Sequence, residues 1–241
     1  MKVEEWGYTN PVISYYYGKP PLVWKDMDIS LIVFETEMEN IRKVTPEPMI
    51  PRTNKVFVWT SKFDLGTTQG GFSETAVYVQ VTHNGIEGDY EPFLYVNSPL
   101  PLTAGREIWG YQKKLADIQL IPDQEAIRGE TTRLGHQIVK GLVVPERPAT
   151  MDEIPWSSGG VFSLKYIPSA VEGGDPIRQL ILTPGEFTAH DGKFFGGRAS
   201  IRFEESALDP TYILKPNKII GGFYGKGDLY LPLGKIVHEY K

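Results

Sequence analysis

Lys113 and Lys114 stand side by side at the end of Gly105-Arg106-Glu107-Ile108-Trp109-Gly110-Tyr111-Gln112-Lys113-Lys114-Leu115. A lysine amine that has lost its proton can attack a carbonyl carbon. Adjacent lysines ordinarily mark a solvated surface, but here they follow Ile108, Trp109 and Tyr111 and precede Leu115, a context that favours partial burial. Other reactive groups are poorly arranged. His83, His136, His190 and His238 are far apart and form no HxH or HExxH spacing, so they give no metal-ligand pattern. The absence of cysteine excludes disulfides, thiolate catalysis and cysteine-bound metals. Gly70-Gly71, Gly159-Gly160 and Gly221-Gly222 lack a P-loop lysine or GxGxxG spacing and read as turns or bulges. No GxSxG elbow occurs. Tyr15-Tyr16-Tyr17 reads as packing or a subunit contact rather than a ligand site.

The elements that must position these residues are mostly strands. Ile29 to Phe34 and Val56 to Trp59 are nearly continuous apolar runs. Ala76 to Thr82 alternates, with Val77, Val79 and Val81 on one face and Tyr78 and Gln80 on the other. His83-Asn84-Gly85 then predicts a turn into a second strand near Tyr90 to Val96, a hairpin. Further strands are expected at 136–144, 161–167, 180–183, 197–203 and 228–233. Helix signals are fewer. Thr36-Glu37-Met38-Glu39 has capping-box spacing ahead of a helix that Pro46 and Pro48 end, and a second short helical stretch is expected around 106–115. The fold class is therefore mainly β (α+β): an antiparallel barrel or cone-like core with a few short helices. The interior of such a barrel is a natural place for a small-ligand pocket.

Bulk properties narrow the function classes. A chain of 241 residues, 41% hydrophobic and 23% charged, suits one globular domain over residues 1–241. A formal net charge of -5, with no cationic run longer than a pair, argues against a nucleic-acid partner. The first residues place Glu4 and Glu5 where a signal peptide needs basic then apolar residues, and no segment reaches the roughly 20 apolar residues of a membrane span. The expectation is a soluble cytoplasmic protein with no membrane partner.

The lysine segment resembles that of the acetoacetate decarboxylases, whose hallmark is a GRE sequence followed, after a short aromatic-containing spacer, by a lysine pair. Thr36 to Pro48 (TEMENIRKVTPEP) is similar to the family's IRKV-PEP stretch. Phe72-Ser73-Glu74 is similar to its aromatic-hydroxyl-Glu segment, and residues 84–90 to its NGxxGDY run. The spacing matches without a gap from about Ile29 to Leu115, and Leu229 to Lys241 matches in character. The resemblance implies that Lys113 forms an imine with a ketone, that Lys114 is its cationic neighbour, and that Glu74 is the active-site glutamate. Arg106 and Glu107 read as buttresses of the lysine segment. It also implies a keto-acid substrate and a homo-oligomer.

Imine chemistry needs a neutral amine, and a free lysine of pKa about 10.4 is only roughly 0.04% neutral at pH 7. Acetoacetate decarboxylase is the standing example of a lysine activated by desolvation or a cationic neighbour. A unit charge ~6 Å away contributes about 0.7 kcal/mol in water and about 2.8 kcal/mol at an effective dielectric of ~20. Adjacent side chains also diverge by roughly half a turn in a strand. Burial of the reacting lysine therefore has to do most of the work, and can lower a lysine pKa by up to ~3–5 units. The sequence of steps implied is amine attack, dehydration to a protonated imine, loss of carbon dioxide, protonation of the enamine on carbon, and hydrolysis. It requires no metal or organic cofactor.

Three positions depart from the family pattern. Met27 stands where the decarboxylases carry an arginine, Trp59 where they carry a glutamate, and Gln112 where a proline precedes the catalytic lysine. An entrance-serving charged pair is thus replaced by two apolar groups, with Met27, Trp59 and Arg106 the expected substrate-binding residues. The alternatives are an aldol condensation and dehydration of pyruvate with an aldehyde on the same amine, and a ligand-binding β-barrel without catalysis.

Overall fold

The richest stretches of β-branched and aromatic residues lie between Leu22 and Val96, and the backbone there is largely extended. In the computed structural model, which describes residues 1–66 and 70–241, β1 (Leu22–Glu35), β2 (Ile50–Gly66), β3 (Gly70–His83) and β4 (Ile86–Val96) pair antiparallel in that order. The β3–β4 turn is the expected one. Asn84 (φ 49°) and Gly85 (φ 78°) carry the two positive φ angles that a type I′ hairpin needs to match strand twist.

The sheet grows outward from this middle. β12 (Lys218–Leu231) and β11 (Glu186–Phe203) extend it beyond β1, followed by β8 (His136–Pro148), β7 (Ala126–Arg133) and β6 (Asp117–Asp123). On the other side β4 pairs in parallel with β9 (Val161–Ile167), which leads to β10 (Ile177–Thr183) and β13 (Lys235–Glu239). A short β5 (Lys113–Leu115) also lies parallel to β4. Every strand expected from the sequence falls in or overlaps one of these.

The expected barrel is not closed. Among the described residues β6 and β13 are free ends of one path, and the two parallel pairings interrupt an otherwise antiparallel sheet. The sheet instead rolls onto itself. Thr131 on β7 donates a buried 2.8 Å hydrogen bond to Thr75 on β3, and Gly129 admits the Thr60 side chain of β2. Ile118, Ile138, Val139 and Val143 consequently pack with Ile32, Val58, Val77 and Val79 in one core.

A second core occupies the opposite face of the same strands, with Ile29, Leu31, Phe57, Trp59, Phe72 and Leu94. Strands covered on both faces read as continuous apolar runs, as β1 and β2 do. Helices are short. α1 (Met38–Val44) starts one residue later than the capping-box spacing suggests, because the Thr36 hydroxyl donates to the Lys215 carbonyl at 2.8 Å instead of capping. The helix expected at 106–115 lies earlier, as α2 (Pro99–Ala104) running into a π-helical turn, Gly105–Trp109. Gly110 (φ 80°) ends that turn, and the lysines follow as a strand. No helix among the described residues is long and apolar enough to cross a membrane.

Candidate active site

A bulge in β4 sets the geometry. Val79 pairs with Tyr90 and Val77 with Phe93, so two residues of β3 span three of β4. The extra residue falls at Glu91-Pro92, where proline cannot donate to the ladder anyway. Strict alternation would send Asp89 and Leu94 to opposite faces. The bulge restores both, together with Glu91, to the face of the second core.

Lys113 sits beside Leu94 on β5 and points to that same face. Its side chain is 8% exposed, and its Nζ lies 2.9 Å from Glu74 Oε2, itself 13% exposed on β3. The ammonium also lies 5.6 Å from the Phe72 ring centre and 5.8 Å from that of Tyr111, within cation–π range. Space for the lysine stem comes from Gly105, where a Cβ would stand 2.8 Å from Lys113 Cδ and Cε. The glycine of the GRE sequence thus acts by its lack of a side chain.

Lys114, next along the strand, takes the opposite direction. Its Nζ is 2.8 Å from Asp209 Oδ1 and 2.6 Å from the Leu208 carbonyl, and Asp209 is held also by Arg133. Arg106 is exposed and donates at 3.3 Å to the Lys113 carbonyl, a brace on the backbone rather than a wall of the cavity. Glu107 accepts a hydrogen bond from the Tyr17 hydroxyl, so the N-terminal segment is tied to the lysine turn. Tyr17 is therefore buried, whereas Tyr15 and Tyr16 stay exposed.

Lys113, Glu74 and the bulged strand open onto a cavity of about 330 Å³. That volume lies within the ~300–1,000 Å³ of small-molecule sites. Its walls are aromatic: Trp24, Trp59, Phe63, Phe72, Trp156 and Phe187. Trp59 meets Phe187 edge to face at 5.2 Å, and Trp156 stacks on Phe57 at 4.6 Å. Met27 is fully buried under this wall without lining the cavity. None of the four histidines lines it.

The cavity's charged side chains, Lys113 apart, are carboxyls: Glu74, Asp89, Glu91 and Glu186. Asp89 accepts from Ser157 N at 3.2 Å and Ser157 Oγ at 3.0 Å, yet burial outweighs these bonds and the nearby Arg52 and pushes its carboxyl up to about 7. Glu91 is 3% exposed, and its Oε1 has no hydrogen-bond partner. Burial, reinforced by the charge of Glu74, pushes Glu91 well above the ordinary carboxylate range; Lys113 and the Tyr78 hydroxyl oppose this. Asp89 and Glu91 are site residues the sequence reading missed. The available signal was a pair of carboxylates two apart in a run that is otherwise apolar and aromatic.

A family model described as acetoacetate decarboxylase matches residues 9–241. An acetoacetate decarboxylase of Burkholderia vietnamiensis is 27% identical over 238 residues, spanning 97% of this chain and 95% of the relative. The crystal structure of an acetoacetate decarboxylase from Legionella pneumophila is 26% identical with a TM-score of 0.88, covering 98% of this chain and 95% of that one. The enduracididine biosynthesis enzyme MppR, solved with the condensation product of pyruvate and imidazole 4-carboxaldehyde, has a TM-score of 0.80 at 15% identity, covering 98% and 97%. At that identity the likeness is one of fold.

Proposed function

This chain belongs to the acetoacetate decarboxylase family, and on that premise we propose that it decarboxylates a β-keto acid through an imine on Lys113. The observation that carries the reading is the placement of Lys113 Nζ, buried in an aromatic cavity and 2.9 Å from Glu74 Oε2. An ammonium held against a carboxylate becomes a nucleophile when the proton crosses that hydrogen bond. That hydrogen bond gives the proton a direct path from Nζ to the carboxylate as the amine attacks.

The neutral amine of Lys113 adds to the ketone carbon, and loss of water gives the protonated imine. The carbon–carbon bond to the carboxylate then breaks, its electron pair moves toward the iminium nitrogen, and carbon dioxide leaves. Protonation of the enamine and hydrolysis return the ketone and the lysine. The electron sink is the lysine nitrogen itself, so the steps call on no further group. Incubation with keto acids and borohydride tests this: one substrate-derived mass should appear on the peptide holding Lys113. A label on Lys114, or none with any keto acid tried, counts against it.

A second reading is supported by the size of the cavity and its aromatic wall, which offer room beyond a small keto acid. In it the Lys113 enamine of pyruvate attacks an aldehyde, and the adduct dehydrates. Carbon dioxide release from a β-keto acid, set against pyruvate-dependent condensation with an aldehyde, separates the two.

A further inference from the structure

Glu91 is expensive where it stands. Its side chain is almost wholly enclosed, Oε1 has no partner, and the carboxyl faces the cavity that Lys113 enters. Leaving a buried carboxyl oxygen unpaired is unfavourable, and an apolar side chain such as the neighbouring Leu94 would avoid the cost. The bulge at Glu91-Pro92 aims it inward rather than at solvent. Glu74, the other carboxyl beside the amine, is engaged with Lys113 Nζ. Glu91 makes no hydrogen bond to the amine, has the Tyr78 hydroxyl beside it, and lines the same cavity as Lys113.

We propose that Glu91 is the acid that protonates carbon, an assignment that rests on the Lys113 imine above. After carbon dioxide leaves, the enamine's electron pair takes the Glu91 proton. The Glu91 O–H bond breaks, a C–H bond forms at the carbon that lost the carboxylate, and the nitrogen becomes iminium again. Glu91 is left as a carboxylate facing that cation. Water then adds to the iminium carbon, and a proton released in hydrolysis restores the Glu91 acid, so the group ends as it began. The two glutamates divide the work: Glu74 handles the proton on nitrogen and Glu91 the proton on carbon. Neutral Glu91 suits the task, since burial and the neighbouring Glu74 both favour the protonated form.

The same step run backwards exchanges hydrogen at the carbon next to a ketone, which allows a test without the natural substrate. Deuterated acetone is incubated with the enzyme in ordinary water, the loss of deuterium is followed by NMR, and imine formation is measured in parallel by borohydride trapping and mass. The wild type should do both. Glu91→Gln should still trap on Lys113 but exchange at least about 100-fold more slowly, the lower end of what a positioned acid or base contributes. Glu91→Leu, which removes the buried polar group, should fold at least as stably and be equally inert in exchange. Exchange at the wild-type rate in either variant would overturn the assignment. So would loss of trapping in a folded Glu91→Gln protein, which would place Glu91 before the enamine. Loss of exchange in Glu74→Gln with exchange retained in Glu91→Gln would make Glu74 the donor. No trapping in the wild type with acetone or with any keto acid tried would instead sink the lysine reading, and this assignment with it.

Discussion

Lys114 Nζ lies 2.8 Å from Asp209 Oδ1, on the side of β5 away from Lys113. Asp209 is almost inaccessible, and Arg133 holds its other oxygen at 2.9 Å. The positive charge of Lys114 is therefore met where it sits, and little of it reaches the neighbouring amine. This agrees with the magnitude argument that an adjacent cation alone is too weak to free a lysine of its proton in water. Lys114→Gln should leave the pH profile of borohydride trapping close to wild type. It should lower stability by about 1.5–3 kcal/mol, the range for a hydrogen bond to a charged group, because Asp209 keeps Arg133. Urea unfolding measures the second effect. A profile displaced far to the alkaline side, with stability unchanged, would make Lys114 the activating cation after all.

Gly105→Ala should separate function from stability. The added methyl would stand 2.8 Å from Lys113 Cδ and Cε, atoms of a flexible chain that can move aside. Moving aside carries the amine away from Glu74, and a misplacement of about 1 Å can reduce rate by about 100-fold. Stability should change by no more than about 1 kcal/mol, since alanine suits a helical turn better than glycine. The measurements are trapping rate and thermal midpoint on the same preparation. An alanine variant that traps as fast as wild type would show that Gly105 does not make room for the lysine.

Asp89 predicts a fall in stability with rising pH. Its carboxyl titrates near 3.8 when unperturbed and at about 7 in the fold, chiefly because it is buried. Between these values the folded state holds a proton that the unfolded chain has released, so stability decreases as pH rises. The contribution is complete below the unfolded value and gone once pH passes the folded one. Its size is on the order of 4 kcal/mol at 1.36 kcal/mol per unit. Asp89→Asn keeps an oxygen for Ser157 and cannot ionise, so it should flatten the fall between about pH 5 and about pH 8. Unfolding curves at the two pH values decide it, and equal slopes for both proteins would remove Asp89 as the cause.

Lys113 and Glu74 could be picked out from the sequence because their neighbours, GRE before the lysines and Phe72-Ser73 before the glutamate, form recognisable segments. Strand identity was equally legible where side chains are β-branched and aromatic, as from Val77 to Val81. Asp117–Asp123, Ala126–Arg133 and Lys235–Glu239 were not anticipated as strands: they are polar, and they lie toward the ends of the sheet, where one side is solvated. Glu91 escaped for a different reason. Period-two reading assigns the charges of a strand to solvent, and the burial of Glu91 goes with a one-residue bulge and with both faces of β4 being covered. The roll of β7 onto β3 through Thr131 and Thr75 is likewise a long-range pairing that no local pattern announces.

Acetoacetate should not be the best substrate. Its carboxylate would enter a cavity whose charged side chains among the described residues, Lys113 excepted, are Glu74, Asp89, Glu91 and Glu186, with no guanidinium among them. Arg106 is engaged with the Lys113 carbonyl outside it. A charge-assisted hydrogen bond is worth about 1.5–3 kcal/mol, so its absence weakens the hold on any β-keto acid's carboxylate by roughly 10- to 150-fold at 1.4 kcal/mol per decade and leaves the choice among these acids to the acyl tail. The aromatic wall works in the other direction, offering ~25 cal/mol for each Å² of apolar substrate surface it covers. A keto acid with a larger acyl or aryl tail should therefore show the higher kcat/KM. Trp59, which meets Phe187 edge to face at 5.2 Å on that wall, should carry part of the preference. Trp59→Ala should narrow the ratio between the large and small substrate. Trp59→Phe, which leaves a smaller void, should narrow it less, and it provides a check if the alanine variant is unstable. The measurement is kcat/KM for acetoacetate and for a series of larger β-keto acids in all three proteins. Acetoacetate outperforming every larger acid in the wild type would refute the substrate assignment, and an unchanged ratio in both variants would show that Trp59 is not its source.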